Sequence, residues 1–197
     1  MKKIQLAILI SGRGTNMEAI LEACKADDYP AGAALVLSNR PEAGGLVTAA
    51  NQGIQTKAID HKPYGKDREA FERAMDTALT DAGIELIALA GFMRILTPWF
   101  VKRWAGRLIN IHPSLLPKYP GLKTHQRAIE AGDAEHGCSV HWVTEGVDEG
   151  QVIAQTRVPI FSDDTPDTLS ARVLPEEHKL YPQALKLACE ALIAARD

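Results

Sequence analysis

The sequence of 197 residues predicts an α/β fold: an open twisted sheet, mostly parallel with an antiparallel C-terminal portion, and helices on both faces. Two observations predict it. From residue 4 to residue 111, apolar strand-like runs alternate with stretches of helical spacing, the βαβα order of a parallel sheet with crossover helices. After Pro117 the alternation stops. Residues 139–143 and 152–158 are then two strand-like runs joined by a polar loop, a hairpin signal that makes the late sheet partly antiparallel.

Taken in order, residues 4–10 form an apolar run suited to a buried strand. From Asn16 onward, Met17, Ile20, Leu21 and Cys24 recur at helical spacing. Residues 33–37 form the second strand, 41–52 a helix ended by Gly53, and 54–59 the third strand. Residues 66–80 read as a charged amphipathic helix before Gly83, and 85–90 as the fourth strand. Residues 98–104 form a short helix with Pro98 in the first turn, where the missing N–H costs nothing. The fifth strand is 108–111; 118–124 is loop-like, and 125–131 is a short helix ending at Gly132. Residues 167–195 are helical, interrupted or kinked near Pro175 and Pro182, because an internal proline removes a hydrogen bond and crowds the preceding turn. The order is Rossmann-like. With no repeat, low-complexity tract or linker, one domain is expected across 1–197.

The bulk composition, 46% hydrophobic and 24% charged, is that of a globular chain with a sizeable core. A net charge of −3 leaves no basic footprint for nucleic acid, and basic clusters such as Lys102-Arg103 read as solvated surface. No apolar run reaches the ~20 residues that span a bilayer, and the N-terminus lacks a cleavable signal pattern, so no membrane partner is expected. Cys24, Cys138 and Cys189 are odd in number, widely spaced and without a CxxC. They read as small core residues in a reducing cytoplasm. Six histidines occur without HExxH-like spacing, so no metal is expected, and most read as surface or structural residues.

Three motifs carry chemistry. In Asn110-Ile111-His112-Pro113-Ser114-Leu115-Leu116-Pro117, strand alternation puts Asn110 and His112 on one face, and Pro113 ends the ladder. An amide and an imidazole together can hold an oxyanion and manage a proton. Ser11-Gly12-Arg13-Gly14-Thr15-Asn16 joins the first strand to a helix, whose open N–H groups favour an anion. A dinucleotide fingerprint would need glycine where Met17 stands, and no Walker Gly-Lys-Ser/Thr occurs, so a single phosphate fits. Ala90-Gly91-Phe92-Met93-Arg94-Ile95-Leu96 follows the fourth strand, where its backbone could meet a flat heterocycle, although core packing of Met93, Ile95 and Leu96 is the commoner use of such residues. Asp148, in the loop between the late strands, could reach His112, raising its pKa and fixing its orientation. A charged His112 is therefore expected.

These motifs, with Asp148-Glu149-Gly150 and Lys118-Tyr119-Pro120-Gly121, resemble the folate-dependent phosphoribosylglycinamide formyltransferases, a branch of the formyltransferase superfamily. The resemblance is collinear from about residue 4 to 181. It implies transfer of a formyl group from 10-formyltetrahydrofolate to the amine of glycinamide ribonucleotide in purine biosynthesis, without a metal. It implies catalysis by Asn110, His112 and Asp148; ribonucleotide binding by Gly14, Thr15, Asn16 and Glu177; and folate binding by Arg68, Met93, Arg94, Ile95, Leu96 and Asn110. Residues 1–105 would bind phosphate and ribonucleotide, and 106–197 would carry catalysis and folate binding. A homodimer is left open. Lys123, Gln151 and Pro175 depart from the pattern of many relatives, and none is a catalytic position. The rival readings are a formyltetrahydrofolate hydrolase, disfavoured by the phosphate loop, a methionyl-tRNA formyltransferase, and a noncatalytic nucleotide-binding module.

Overall fold

In the computed structural model, which describes residues 2–196, seven strands form one sheet in the order β3-β2-β1-β4-β5-β6-β7. β1 (Ile4–Ile10), β2 (Ala31–Ser38), β3 (Gln55–Ala58), β4 (Leu86–Leu89) and β5 (Leu108–His112) run parallel. β6 (Glu135–Trp142) is antiparallel to β5, and β7 (Val152–Pro159) is antiparallel to β6. The chain leaves β1 toward β2 and β3, then crosses back to β4 on the other side. The strand order reverses between β1 and β4, where open α/β sheets bind ligands beyond the carboxyl ends of the strands.

Both faces of β1 are buried, so its apolar run is continuous rather than alternating. Ile4, Leu6, Ile8 and Ile10 pack with Met17, Ile20 and Leu21 of α1 (Thr15–Cys24) and with Leu180, Tyr181 and Leu185 of α6 (Pro166–Ala194). Ala7 and Leu9 face Phe71, Met75 and Leu79 of α3 (Arg68–Asp81) and Phe100 of α4 (Pro98–Arg103). The Asp67 side chain caps α3 by accepting from Ala70 N at 2.9 Å.

Three elements differ from expectation. The helix expected over 41–52 is α2 (Gly44–Asn51), because Ala43 N bonds Arg40 O and closes a turn around Pro41. β6 starts four residues before the expected 139. Its buried His136 and Ser139 hide the apolar signal of a core strand. The expected interruption of the last helix does not occur: α6 continues through Pro175 and Pro182. Its buried stripe, Leu169, Val173, Leu180, Tyr181, Ala184, Leu185 and Ala188, keeps the helical period across both prolines. That burial outweighs a local penalty of about 3 kcal/mol per proline.

No helix among the described residues is long and apolar enough to cross a membrane.

Candidate active site

β5 ends at His112, and Pro113 follows it out of the sheet. Antiparallel pairing sets His141 of β6 opposite Asn110, and Ser139 opposite His112. The loop between β6 and β7 then returns Asp148 over both strands, with the Asp148 backbone left-handed at φ 55°. Its carboxylate lies 3.3 Å from His112 Nδ1 and 3.4 Å from His141 Nε2, and accepts from Gly121 N at 2.9 Å. His112 Nε2 is 2.9 Å from the Tyr119 carbonyl, which can only accept. His141 Nδ1 stands 2.9 Å from the Trp142 carbonyl, and its Nε2 is 3.4 Å from Asn110 Nδ2. Asn110, His112 and Asp148 therefore meet in one cluster, and His141 links the amide to the carboxylate.

Burial pushes the Asp148 carboxyl upward. Bonds from His141 and from Gly121 N–H, with the attraction of both histidines, outweigh it and hold the group below the ordinary carboxylate value. Asp148 is ionised at neutral pH. The His112 pKa departs from the expected rise. Burial of the ring is the largest influence and lowers it below the ordinary histidine value, although Tyr119 O and Asp148 both pull it upward. Asp148 and the Tyr119 carbonyl orient the His112 ring from its two nitrogens.

At the end of β1, Gly14 caps α1 in a left-handed conformation (φ 74°) that glycine adopts without strain, and no side chain caps the helix. The first intrahelical bond is Glu18 N to Gly14 O. The N–H groups of Thr15, Asn16 and Met17 are therefore open to an anion. Gly45 holds the loop down: its N–H bonds Gly12 O at 3.0 Å, and an added Cβ would stand 2.5 Å from Ile10 Cδ1 and 2.9 Å from Arg13 O. Asn16 Nδ2 donates to Glu177 Oε2 at 2.8 Å across the α1–α6 interface. Burial raises the Glu177 carboxyl above its ordinary value against that bond, and Asn16 Oδ1 is buried without a partner. The four residues Gly14, Thr15, Asn16 and Glu177 are thus adjacent.

After β4 the chain passes through residues 91–96. Met93 and Ile95 are 66% and 69% exposed, so the expected core packing does not hold for them. Leu96 alone of the three packs inward against the α3–α4 core. The Arg94 guanidinium lies 5.4 Å from the Phe71 ring centre, and Arg68 donates to the Ile95 carbonyl. Among the described residues no group of three or more His, Cys, Asp or Glu side chains could hold a metal.

Sequence reading missed His141, which is buried at 2% exposure. The signal that finds it is register: it sits directly across from Asn110. It also missed the backbone roles of Tyr119 and Gly121.

Comparison with known proteins adds four likenesses. The family described as formyl transferase matches residues 4–185. A phosphoribosylglycinamide formyltransferase of Haemophilus influenzae is 46% identical over 197 residues, covering 100% of this chain and 92% of that protein. A trifunctional purine biosynthetic protein adenosine-3 of Gallus gallus is 47% identical over 97% of this chain, which spans 19% of that longer protein. The crystal structure of a phosphoribosylglycinamide formyltransferase from Brucella melitensis superposes with a TM-score of 0.90 at 47% identity, covering 95% of this chain and 96% of that one.

Proposed function

This chain belongs to the formyl transferase family, and from that premise we propose that it transfers a formyl group from 10-formyltetrahydrofolate to the amine of glycinamide ribonucleotide, a step of purine biosynthesis. The observation that carries the reading is the meeting of Asn110, His112 and Asp148 at the end of β5, in a sheet whose strand order reverses at an open, phosphate-sized helix start.

The ribonucleotide phosphate sits on the open N–H groups after Gly14, with Thr15 and Asn16 adding side-chain bonds and Glu177 beside them. The flat pterin of the folate lies against residues 93–96, whose apolar Met93 and Ile95 are exposed there, and Arg68 braces that loop through the Ile95 carbonyl. Arg68, Met93, Arg94, Ile95 and Leu96 fall within residues 1–105, so the donor site spans both parts of a single formyltransferase domain. We place the reaction in the cytoplasm, in keeping with three free cysteines.

The acceptor amine attacks the formyl carbon, and the formyl oxygen takes up negative charge. The Asn110 amide donates to that oxygen; a donor of this kind is worth about 10²- to 10³-fold in rate. The oxyanion raises the proton affinity of His112 as it forms; the imidazole takes its proton from solvent, stabilises the oxyanion as a cation, and returns the proton when the carbonyl re-forms. Ionised Asp148 takes the proton shed by the attacking amine. That proton then goes to the folate nitrogen, the C–N bond to folate breaks, and the carbonyl re-forms on the ribonucleotide. Transfer is direct, and no side chain becomes covalently attached.

The test is to mix protein and 10-formyltetrahydrofolate with and without glycinamide ribonucleotide and follow folate absorbance. Folate release that needs the ribonucleotide is expected. Equal release without it would mean hydrolysis and overturn the reading.

A further inference from the structure

Ser11 carries no role in the reaction above, yet its side chain is placed where the two substrate loops leave the sheet. It follows the last residue of β1 and is 5% exposed. Its hydroxyl donates to Asn39 Oδ1 at 2.5 Å and accepts from Met93 N at 2.8 Å. A serine hydroxyl has one proton. With that proton committed to Asn39, its lone pairs face the Met93 N–H. Asn39, just beyond β2, is itself buried, and its Nδ2 and carbonyl lie 3.2 Å and 3.0 Å from His61 Nδ1. One hydroxyl thus joins the ends of β1 and β2 to the loop that follows β4.

That loop has few other ties. Ala90 N bonds Leu9 O at its start, and Thr97 N bonds Glu72 at its end. Between them, among the described residues, its hydrogen bonds to the body are Met93 N–H to Ser11 and Arg68 to the Ile95 carbonyl, beside the packing of Phe92 and Leu96 and of Arg94 over Phe71. The Arg68 tie is exposed, and the Ser11 tie is part-buried. The phosphate loop does not depend on Ser11 in the same way. Gly45 N–H holds Gly12 O from the other side, and Gly14 starts α1 independently.

We propose that Ser11 is a positioning residue for the donor: its hydroxyl fixes the Met93 N–H, and with it the apolar edge of Met93 and Ile95, at the height the folate requires above the sheet. The proposal rests on reading residues 93–96 as the donor site. Ser11 acts through Met93 and touches neither substrate's reacting atoms.

The experiment compares Ser11→Ala, Ser11→Cys and Ile95→Asp with the parent in steady-state transfer, with amide hydrogen exchange at Met93 and thermal midpoints measured on each. Losing one buried hydrogen bond corresponds to roughly a fivefold to tenfold effect. In Ser11→Ala, the KM for 10-formyltetrahydrofolate rises by that factor, the ribonucleotide KM and kcat stay within twofold, and Met93 exchanges faster. Ser11→Cys, with a weaker donor and acceptor in the same place, falls between. Ile95→Asp tests the loop reading alone by setting a carboxylate at its exposed edge. If Ile95→Asp raises the donor KM and Ser11→Ala does not, the Ser11 proposal is wrong and the loop reading stands. If both KM values rise together in Ser11→Ala, Ser11 is only structural. If Ile95→Asp leaves the donor KM unchanged, the loop reading falls and the proposal falls with it.

Discussion

At the scale of single residues, the site works by opposing burial with bonds made on named atoms. His112 and Asp148 share one desolvated environment; burial prevails at His112 and lowers its pKa, whereas the donors around Asp148 prevail there and hold its carboxyl below the ordinary value. Replacing it with asparagine keeps an acceptor for Gly121 N–H and His141 and removes the base. Asp148→Asn is expected to lower kcat by about 10²- to 10⁴-fold, the range of a positioned general base. Both substrates should still bind within a few-fold in direct titration. A kcat within threefold of the parent would remove Asp148 from the chemistry. The pairing of Asn110 with His112 was legible because strand alternation fixes faces. Asp148 was legible because a hairpin loop returns to its own strands. His141 was not, since its place depends on the register of β6 against β5, which no local pattern encodes. Nor was the direction of the His112 shift: burial is its largest cause, and burial is a property of the packed neighbourhood.

At the scale of elements, the segment after β5 is held by histidines. α5 (Thr124–Glu130) carries His125, whose Nδ1 is 3.0 Å from Nε2 of His136 in β6. Tyr119 Oη donates to Asp133 at 2.8 Å, and its carbonyl holds His112. Burial first, then the neighbouring His125, lowers His136 to about 4, against the pull of the Pro113 carbonyl and Asp133. His112 and His125 shift the same way, both chiefly through burial. At these three groups the folded protein binds fewer protons than the unfolded chain below pH ~6.5, and the stability they contribute falls as the pH falls from there toward 4. The slope is about 1.4 kcal/mol per pH unit for His136 alone, so about 2 kcal/mol is lost by pH 5. Urea unfolding at pH 7 and pH 5 measures this. In His136→Gln the pH 7 to pH 5 loss should shrink by most of that amount. A variant as acid-sensitive as the parent would show that His136 is not the source. The helix at 124–130 and the turn before it follow from local signals. The early start of β6 does not, because the buried His136 reads as polar in the chain and is covered only when His125 of α5 meets it.

At the scale of the molecule, periodicity named the strands but not their spatial order, because adjacency in a parallel sheet is set by which helix covers which face. The reversal between β1 and β4, on which the whole site depends, appears only once the crossovers are placed. The last helix is the clearest case. Two prolines argue locally for a break, yet α6 is continuous because it must cover β1, β4 and β5 together. Tyr181 shows how it does so. The side chain is fully buried, and its hydroxyl donates to Leu89 O at 2.8 Å and lies 3.4 Å from Ile109 O. Leu89 ends β4 just before the loop of Met93, and Ile109 precedes Asn110. One hydroxyl on the second proline-flanked turn thus pins the helix to the two strands that launch both halves of the site. Tyr181→Phe removes that donor without changing the ring; Leu89 O and Ile109 O keep their places in the β4–β5 ladder, so the cost is that of one buried hydrogen bond, about 0.5–1.5 kcal/mol. For a chain of this size each kcal/mol lowers the melting temperature by about 2–4 °C. Because Tyr181 touches no reacting group, kcat should stay within threefold while the urea midpoint falls with an unchanged slope. Unchanged stability would mean that apolar packing alone carries α6 past its prolines. A large loss of kcat at normal stability would mean that the strand ends move when the helix is released.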